Sequence, residues 1–232
     1  MDMDTFESEI PGNRIYRAAL ERLKAEIEMH RMANEHQSVA RCLRDMADAY
    51  DGLYMLEESG ECIGQALEIY KELGDRAGMV KTLDEMEWRV GDNKKKEIEK
   101  QKQALLEEMG DKERLIEHLR SVADYELKKQ NKPAARSILL RVLNLMDQDD
   151  LDGLARLYSY LECTTDDAEE KLHYLEKGFQ TKMHGGNRFV KGQYLEETAK
   201  VYEEEGMFDI AMKHYNEILD IFDKDDSIVE SA

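Results

Sequence analysis

One eight-residue pattern returns at a fixed interval, and nothing else in this chain restricts its fold so strongly. Leu43-Arg44-Asp45-Met46-Ala47-Asp48-Ala49-Tyr50 is followed 76 residues later by Leu119-Arg120-Ser121-Val122-Ala123-Asp124-Tyr125-Glu126, and 76 after that by Leu195-Glu196-Glu197-Thr198-Ala199-Lys200-Val201-Tyr202. Weaker copies begin at Leu83 and Leu157, so the steps are 40, 36, 38 and 38 residues. A chain that repeats itself at this period buries the apolar face of each unit against its neighbours, which predicts a stacked array rather than a fold around one central core.

Apolar residues at helical spacing divide each unit into two helices. In the first unit, Val39, Leu43, Met46, Ala47 and Tyr50 mark a helix from about His36 to Leu53, and Ile63, Ala66, Leu67 and Tyr70 mark a second from about Glu57 to Leu73. Gly74-Asp75 and Gly110-Asp111 are predicted helix stops, with glycine in the left-handed conformation of a C-terminal cap. The pairs then run at about 76–90 and 93–109, 112–130 and 133–146, 151–163 and 167–184, and 188–205 and 208–223. Pro133 suits a first helical turn. Ahead of them Ile15, Ala19, Leu23 and Ile27 recur every four residues and predict one further helix over 13–34. The reading is a flexible acidic arm at 1–12, an N-terminal helix at 13–34, five repeats over 35–224 and a tail at 225–232.

Small residues recur at two register positions. Four residues after the leading leucine stand Ala47, Ala123 and Ala199 in three of the five copies, and Leu161 in the fourth; sixteen after it stand Ser59, Ala135 and Ala211, with His173 in the fourth, and close approach of two antiparallel helices there favours small side chains. The second unit departs, with Glu87 and Glu99 at those positions, and is expected to be splayed or shifted. Its basic run, Lys94, Lys95, Lys96, Lys100 and Lys102, is expected to be a solvated face.

Leu43, Met46, Ala47 and Tyr50, followed by Ser59, Ile63 and Ala66, together with Ala66-Leu67-Glu68-Ile69-Tyr70-Lys71-Glu72-Leu73-Gly74-Asp75, resemble the tetratricopeptide repeat (TPR) in its long form. The resemblance covers about residues 36–223. It implies an all-α fold of about eleven helices, TPR-like helix-turn-helix repeats stacked as a right-handed superhelix, an α-solenoid whose first helices line a concave groove that receives a peptide or partner helix. Carried over by position, that groove holds Arg44 and Asp48, Asp84 and Trp88, Arg120 and Asp124, Tyr158 and Glu162, and Glu196 and Lys200. Asp48, Trp88, Asp124, Glu162 and Lys200 occupy the positions where a subclass that grips acidic chaperone tails has asparagine, so that ligand is not expected. The remaining groove suits a basic segment, with aromatic anchors for affinity and carboxylates for orientation. Two plainer alternatives stand beside this: the carboxylates pair with Arg44, Arg120 and Lys200, and Trp88 packs in the core.

The balance of 33 basic against 52 acidic residues gives a formal charge of −19, which disfavours nucleic acid. There is no apolar run long enough for a membrane span, and the acidic Met1-Asp2-Met3-Asp4 is unlike a signal peptide, so a cytosolic or nuclear chain without membrane contact is expected. The three cysteines, Cys42, Cys62 and Cys163, read as buried reduced thiols. No metal, cofactor or catalytic constellation is expected. The histidines lack ligand spacing, and in the acidic run from Asp147 to Asp152 the glycine and the closing residue stand out of register for a calcium loop. The last helix carries more apolar residues than one neighbour can cover, and Ile210, Ile218, Ile221 and Phe222 are expected to mediate a homodimer or receive further repeats. The leading expectation is a non-enzymatic scaffold that binds a basic segment of another protein. The alternative is a dimerising regulatory or sensor module assembled through its terminal helices.

Overall fold

The structure is a computed structural model that describes residues 11–182 and 188–229. Its described residues form eleven α-helices and no strand. They are α1 (Pro11–Met32), α2 (His36–Gly52), α3 (Leu56–Leu73), α4 (Arg76–Glu87), α5 (Asp92–Met109), α6 (Lys112–Lys128), α7 (Lys132–Leu145), α8 (Leu151–Glu162), α9 (Ala168–Lys182), α10 (Arg188–Glu204) and α11 (Phe208–Val229). The chain divides into two compact units, one ending at Asp111 and the other beginning at Lys112. The expected arm lies almost wholly outside the described residues, as does the stop at Gly185-Gly186. The last helix continues to Val229, into the stretch read as a tail.

In the first unit α2 and α3 form the tightest hairpin. Val39, Ala40, Leu43, Met46 and Ala47 face Cys62, Ile63, Ala66 and Tyr70, and Leu20, Leu23 and Ile27 of α1 close the cluster from the other side. Ala47 and Ser59, both at small-residue positions, are fully buried. The hairpins end as their sequence predicts. Gly74 has φ +65° and its amide hydrogen reaches back to the α3 carbonyls, while Asp75 begins α4 by accepting from the Gly78 amide at 2.9 Å. Gly110 repeats the left-handed stop. Gly78 is glycine for a different reason: a β-carbon there would run into the ring of buried Tyr70.

The second unit repeats the scheme three times. Ala123, Ala135, Ala155, Leu157, Leu161 and Ala199 are fully buried between paired helices. Asp150 caps α8 by accepting from Gly153 N at 2.9 Å, which accounts for one member of the acidic run. Asp147 forms an ion pair with Lys112. Two expectations are corrected. Cys42 and Cys62 are buried free thiols, but Cys163, at the end of α8, is exposed. The basic run of α5 is not uniformly solvated, since Lys102 is buried against Asp84 and Glu87 of α4.

Candidate interaction surfaces

In the first unit the first-helix row is held by two buried cations. Arg44 of α2 is covered by its neighbours and reaches α4, where Nε donates to Glu85 Oε2 at 2.7 Å and Nη2 donates to Oε1. The Glu85 hydrogen bonds hold the guanidinium's pKa above its ordinary value despite burial. Arg89, just past the end of α4, is the second. Its side chain is 5% exposed and donates to Asp51 Oδ2 at 2.5 and 2.8 Å, to Asp48 Oδ1 at 2.7 Å, to Ser59 Oγ at 3.1 Å and to the Glu85 carbonyl. One side chain thereby ties α2, α3 and the end of α4 together. Sequence reasoning passed over Arg89 because its register position, six after the leading leucine, holds Ala49, Tyr125 and Val201 in the strong copies and so carries no repeated charge.

Trp88 is 62% exposed, so the core reading of it is overturned. The α4 helix ends at Glu87, and the turn that follows swings the indole outward with one face on the Arg89 guanidinium at 4.0 Å. One helical turn earlier Asp84 is paired with Lys102 Nζ at 2.6 Å, and that ammonium also reaches Glu87 at 3.1 Å. Burial pulls the Lys102 pKa down, but the bonds and charges of Asp84 and Glu87 outweigh it and leave it raised. Burial pushes Glu87 up, and the charges of Lys102 and Lys95 more than reverse that. The off-pattern Glu87 is therefore explained: α4 and α5 meet through an ion cluster at the position where three of the other pairs use alanine.

In the second unit the first-helix positions are more self-contained. Asp124 pairs with Lys128 at 2.6 Å, and Lys200 reaches Glu196 at 2.9 Å and Glu197 at 3.1 Å. Those bonds raise the Lys200 pKa to about 12. Arg120 is half-buried, and Tyr158 stacks on Tyr174 of α9 with centroids 6.4 Å apart. Glu162 is half-buried and burial raises its pKa, with Lys171 opposing and Glu197 adding to the rise. It borders a cavity of about 250 Å³ between α8, α9 and α10. The stacked rings of Phe179 and Tyr194, 4.3 Å apart, form one wall; Glu197 and Lys182 also line it. Of the carboxylates expected in a groove, Asp48 and Asp84 thus share the first unit with Trp88, while Asp124, Glu162 and Glu196 belong to the second. Their cations differ from those expected: Asp48 is held by Arg89, not Arg44, and Asp124 by Lys128, not Arg120.

On α11 the four apolar residues singled out divide. Ile218, Ile221 and Phe222 are half-buried, and Phe222 lies 5.6 Å from the Phe189 ring of α10, over Gly192. Ile210 is exposed, and so are Phe208, Met212 and Leu219. Among the described residues no group of three or more His, Cys, Asp or Glu side chains could hold a metal ion, and no helix is long and apolar enough to cross a membrane.

Neither a protein-family profile nor a curated protein matches this sequence. Solved structures do. The chain is similar to BtubC (BKLC) from P. vanneervenii, with a TM-score of 0.52 and 16% identity over 89% of this chain and 90% of that one. Two others score lower: kinesin light chain TPR-like repeats from Podosopora anserina at 0.49, with 15% identity over 82% and 98%, and aspartyl phosphate phosphatase F from Bacillus subtilis at 0.48, with 12% identity over 89% and 70%. At such identities the likeness to BtubC is one of fold. The fold is that of TPR-like helix-turn-helix repeats.

Proposed function

We propose that this chain, with its TPR-like fold as the premise, is a non-enzymatic scaffold that docks a basic segment of a partner protein on the first helices of its N-terminal unit. The observation that carries the reading is Trp88. Its ring is left largely in water, in contact with the ion network only through the Arg89 guanidinium, and tryptophans in such positions are typical anchors of binding energy. The charges around it point to the sign of the ligand. Lys102 and Arg89 lie buried, with side chains 11% and 5% exposed, while their partners Asp84 and Asp48 are 52% and 64% exposed. The cations are underneath with Asp51 and Glu87, and Asp48 and Asp84 lie on top, so the surface presented to a ligand is acidic even though each carboxylate is paired. The cavity beside Glu162, with carboxylates and aromatic faces together, offers a second place for a cationic side chain in the other unit.

The test is selection of peptides from a random displayed library by the wild-type chain, followed by affinity measurement for the enriched sequences. Lys- or Arg-containing peptides that lose about thirtyfold on Trp88→Ala, a hot-spot loss of about 2 kcal/mol, support the reading. Enriched peptides without basic residues, or ones that bind the Trp88→Ala variant as tightly as wild type, overturn it.

A further inference from the structure

The two terminal helices carry residues at heptad spacing that the packing of their own units leaves mostly exposed. On α1 these are Ile15, Ala18, Arg22, Ala25, Met29 and Met32, each exposed and separated alternately by three and four residues. On α11 they are Phe208, Met212, Tyr215 and Leu219 in the same alternation, all exposed except Tyr215, which is half-buried and donates its hydroxyl to Glu203 of α10 at 3.1 Å. A three-four alternation is the seam along which one helix packs against another.

The repeat register indicates what the α11 seam receives. Leu67, Leu143 and Leu219 stand at successive 76-residue steps on α3, α7 and α11. Leu67 is 6% exposed because the following helix, α4, packs Leu83 against it, whereas Leu219 is 57% exposed. That edge of a second helix is where the next helix of an array lies. On α11 nothing among the described residues fills the place.

Charge selects the occupant. The row immediately before the α1 seam, on its open side, holds Arg14, Arg17, Lys24 and Arg31 against Glu21 and Glu28. The row immediately after the α11 seam holds Asp209 and Asp220 against Lys213, with Asn216 between. Arg14 and Arg17 make no ion pair with a described residue, and neither do Asp209 and Asp220. Within a chain of net charge −19, the basic row on α1 is thus a local exception, and its sign is opposite to that beside the other seam. We infer that α1 of a second copy docks on the α11 seam, so that copies join head to tail. The joint uses two different surfaces, and each added copy leaves one of each open, so association is open-ended unless the array closes into a ring. This goes beyond the peptide-docking role, which uses other residues and does not depend on it.

The decisive experiment uses two variants of the full chain at exposed positions, Met29→Asp on α1 and Met212→Asp on α11, with helicity checked by circular dichroism and mass followed by light scattering across a dilution series. Wild type is expected to grow beyond a dimer as concentration rises, and to shrink as salt screens the charged rows. Each variant alone is expected to stay monomeric. An equimolar mixture is expected to double in mass and stop, because one variant keeps an intact α11 and the other an intact α1. A monomeric wild type overturns the inference. So does a Met29→Asp variant that still dimerises, which would mean α11 pairs with itself, or a mixture that remains monomeric.

Discussion

Arg89 shows how much one side chain at a register position that the repeat leaves variable can carry. It neutralises Asp51, which is largely buried, and satisfies Ser59 and the Glu85 carbonyl in the last turn of α4. Its removal leaves a carboxylate without its cation in a poorly solvated place, so Arg89→Ala is expected to cost about 3 kcal/mol in chemical denaturation. Asp48→Asn, which loosens only the solvent-exposed arm of the same network, is expected to cost less than about 1 kcal/mol. Glu162 behaves in the opposite way. Burial raises its pKa in the folded state, so the charged form is penalised above the ordinary carboxylate range and the penalty lifts as pH falls through the raised value. Glu162→Gln is therefore expected to raise the melting temperature at neutral pH by about 1–2 °C, with the gain vanishing in acid. An unchanged or lowered Tm at neutral pH would contradict that account.

At the scale of helices, the pairs are joined in two ways. Most meet through small residues over a close apolar contact, as Ala47 and Ser59 do, while α4 and α5 meet through Lys102, Asp84 and Glu87. Repeat-to-repeat joints also use ion pairs. Arg136 of α7 grips Glu170 of α9 with both nitrogens, and these bonds hold the carboxyl at about 2. A depressed carboxylate stabilises above its unfolded pKa and loses that contribution as pH falls toward the folded value. The stability difference between wild type and Glu170→Gln should then be constant near neutrality and shrink between the ordinary carboxylate range and about pH 2. Thermal melts at stepped pH read it directly. Gly78→Ala tests the apolar kind of joint. Alanine is the better helix former, yet its methyl group would displace the buried Tyr70 ring, and the expected outcome is a net loss of about 1–2 kcal/mol.

For the molecule as a whole, pattern and chemistry separate. The repeat step, the two helices per unit, the left-handed glycines at the hairpin ends and the alanine positions were all legible, because each is dictated locally by side-chain period, φ preference or the space between adjacent helices. The surfaces were less so. Placing Trp88 and the groove acids on first helices identified candidate residues but could not say which cation each would meet. Arg44 was expected beside Asp48 and instead crosses to Glu85, 41 residues away in sequence. The α5 lysines looked like a solvated run because nothing in their order distinguishes Lys102, whose burial depends on which turn faces α4.

The sequence alone therefore determined the architecture, since a repeated local pattern needs only its own neighbours to be satisfied. Tertiary structure decided the faces: which charges are buried under their partners, that Trp88 looks outward, and that α1 and α11 each carry a seam that no described residue fills. Those depend on distances between residues far apart in the chain and on the angle at which each helix ends, and neither is written in the period.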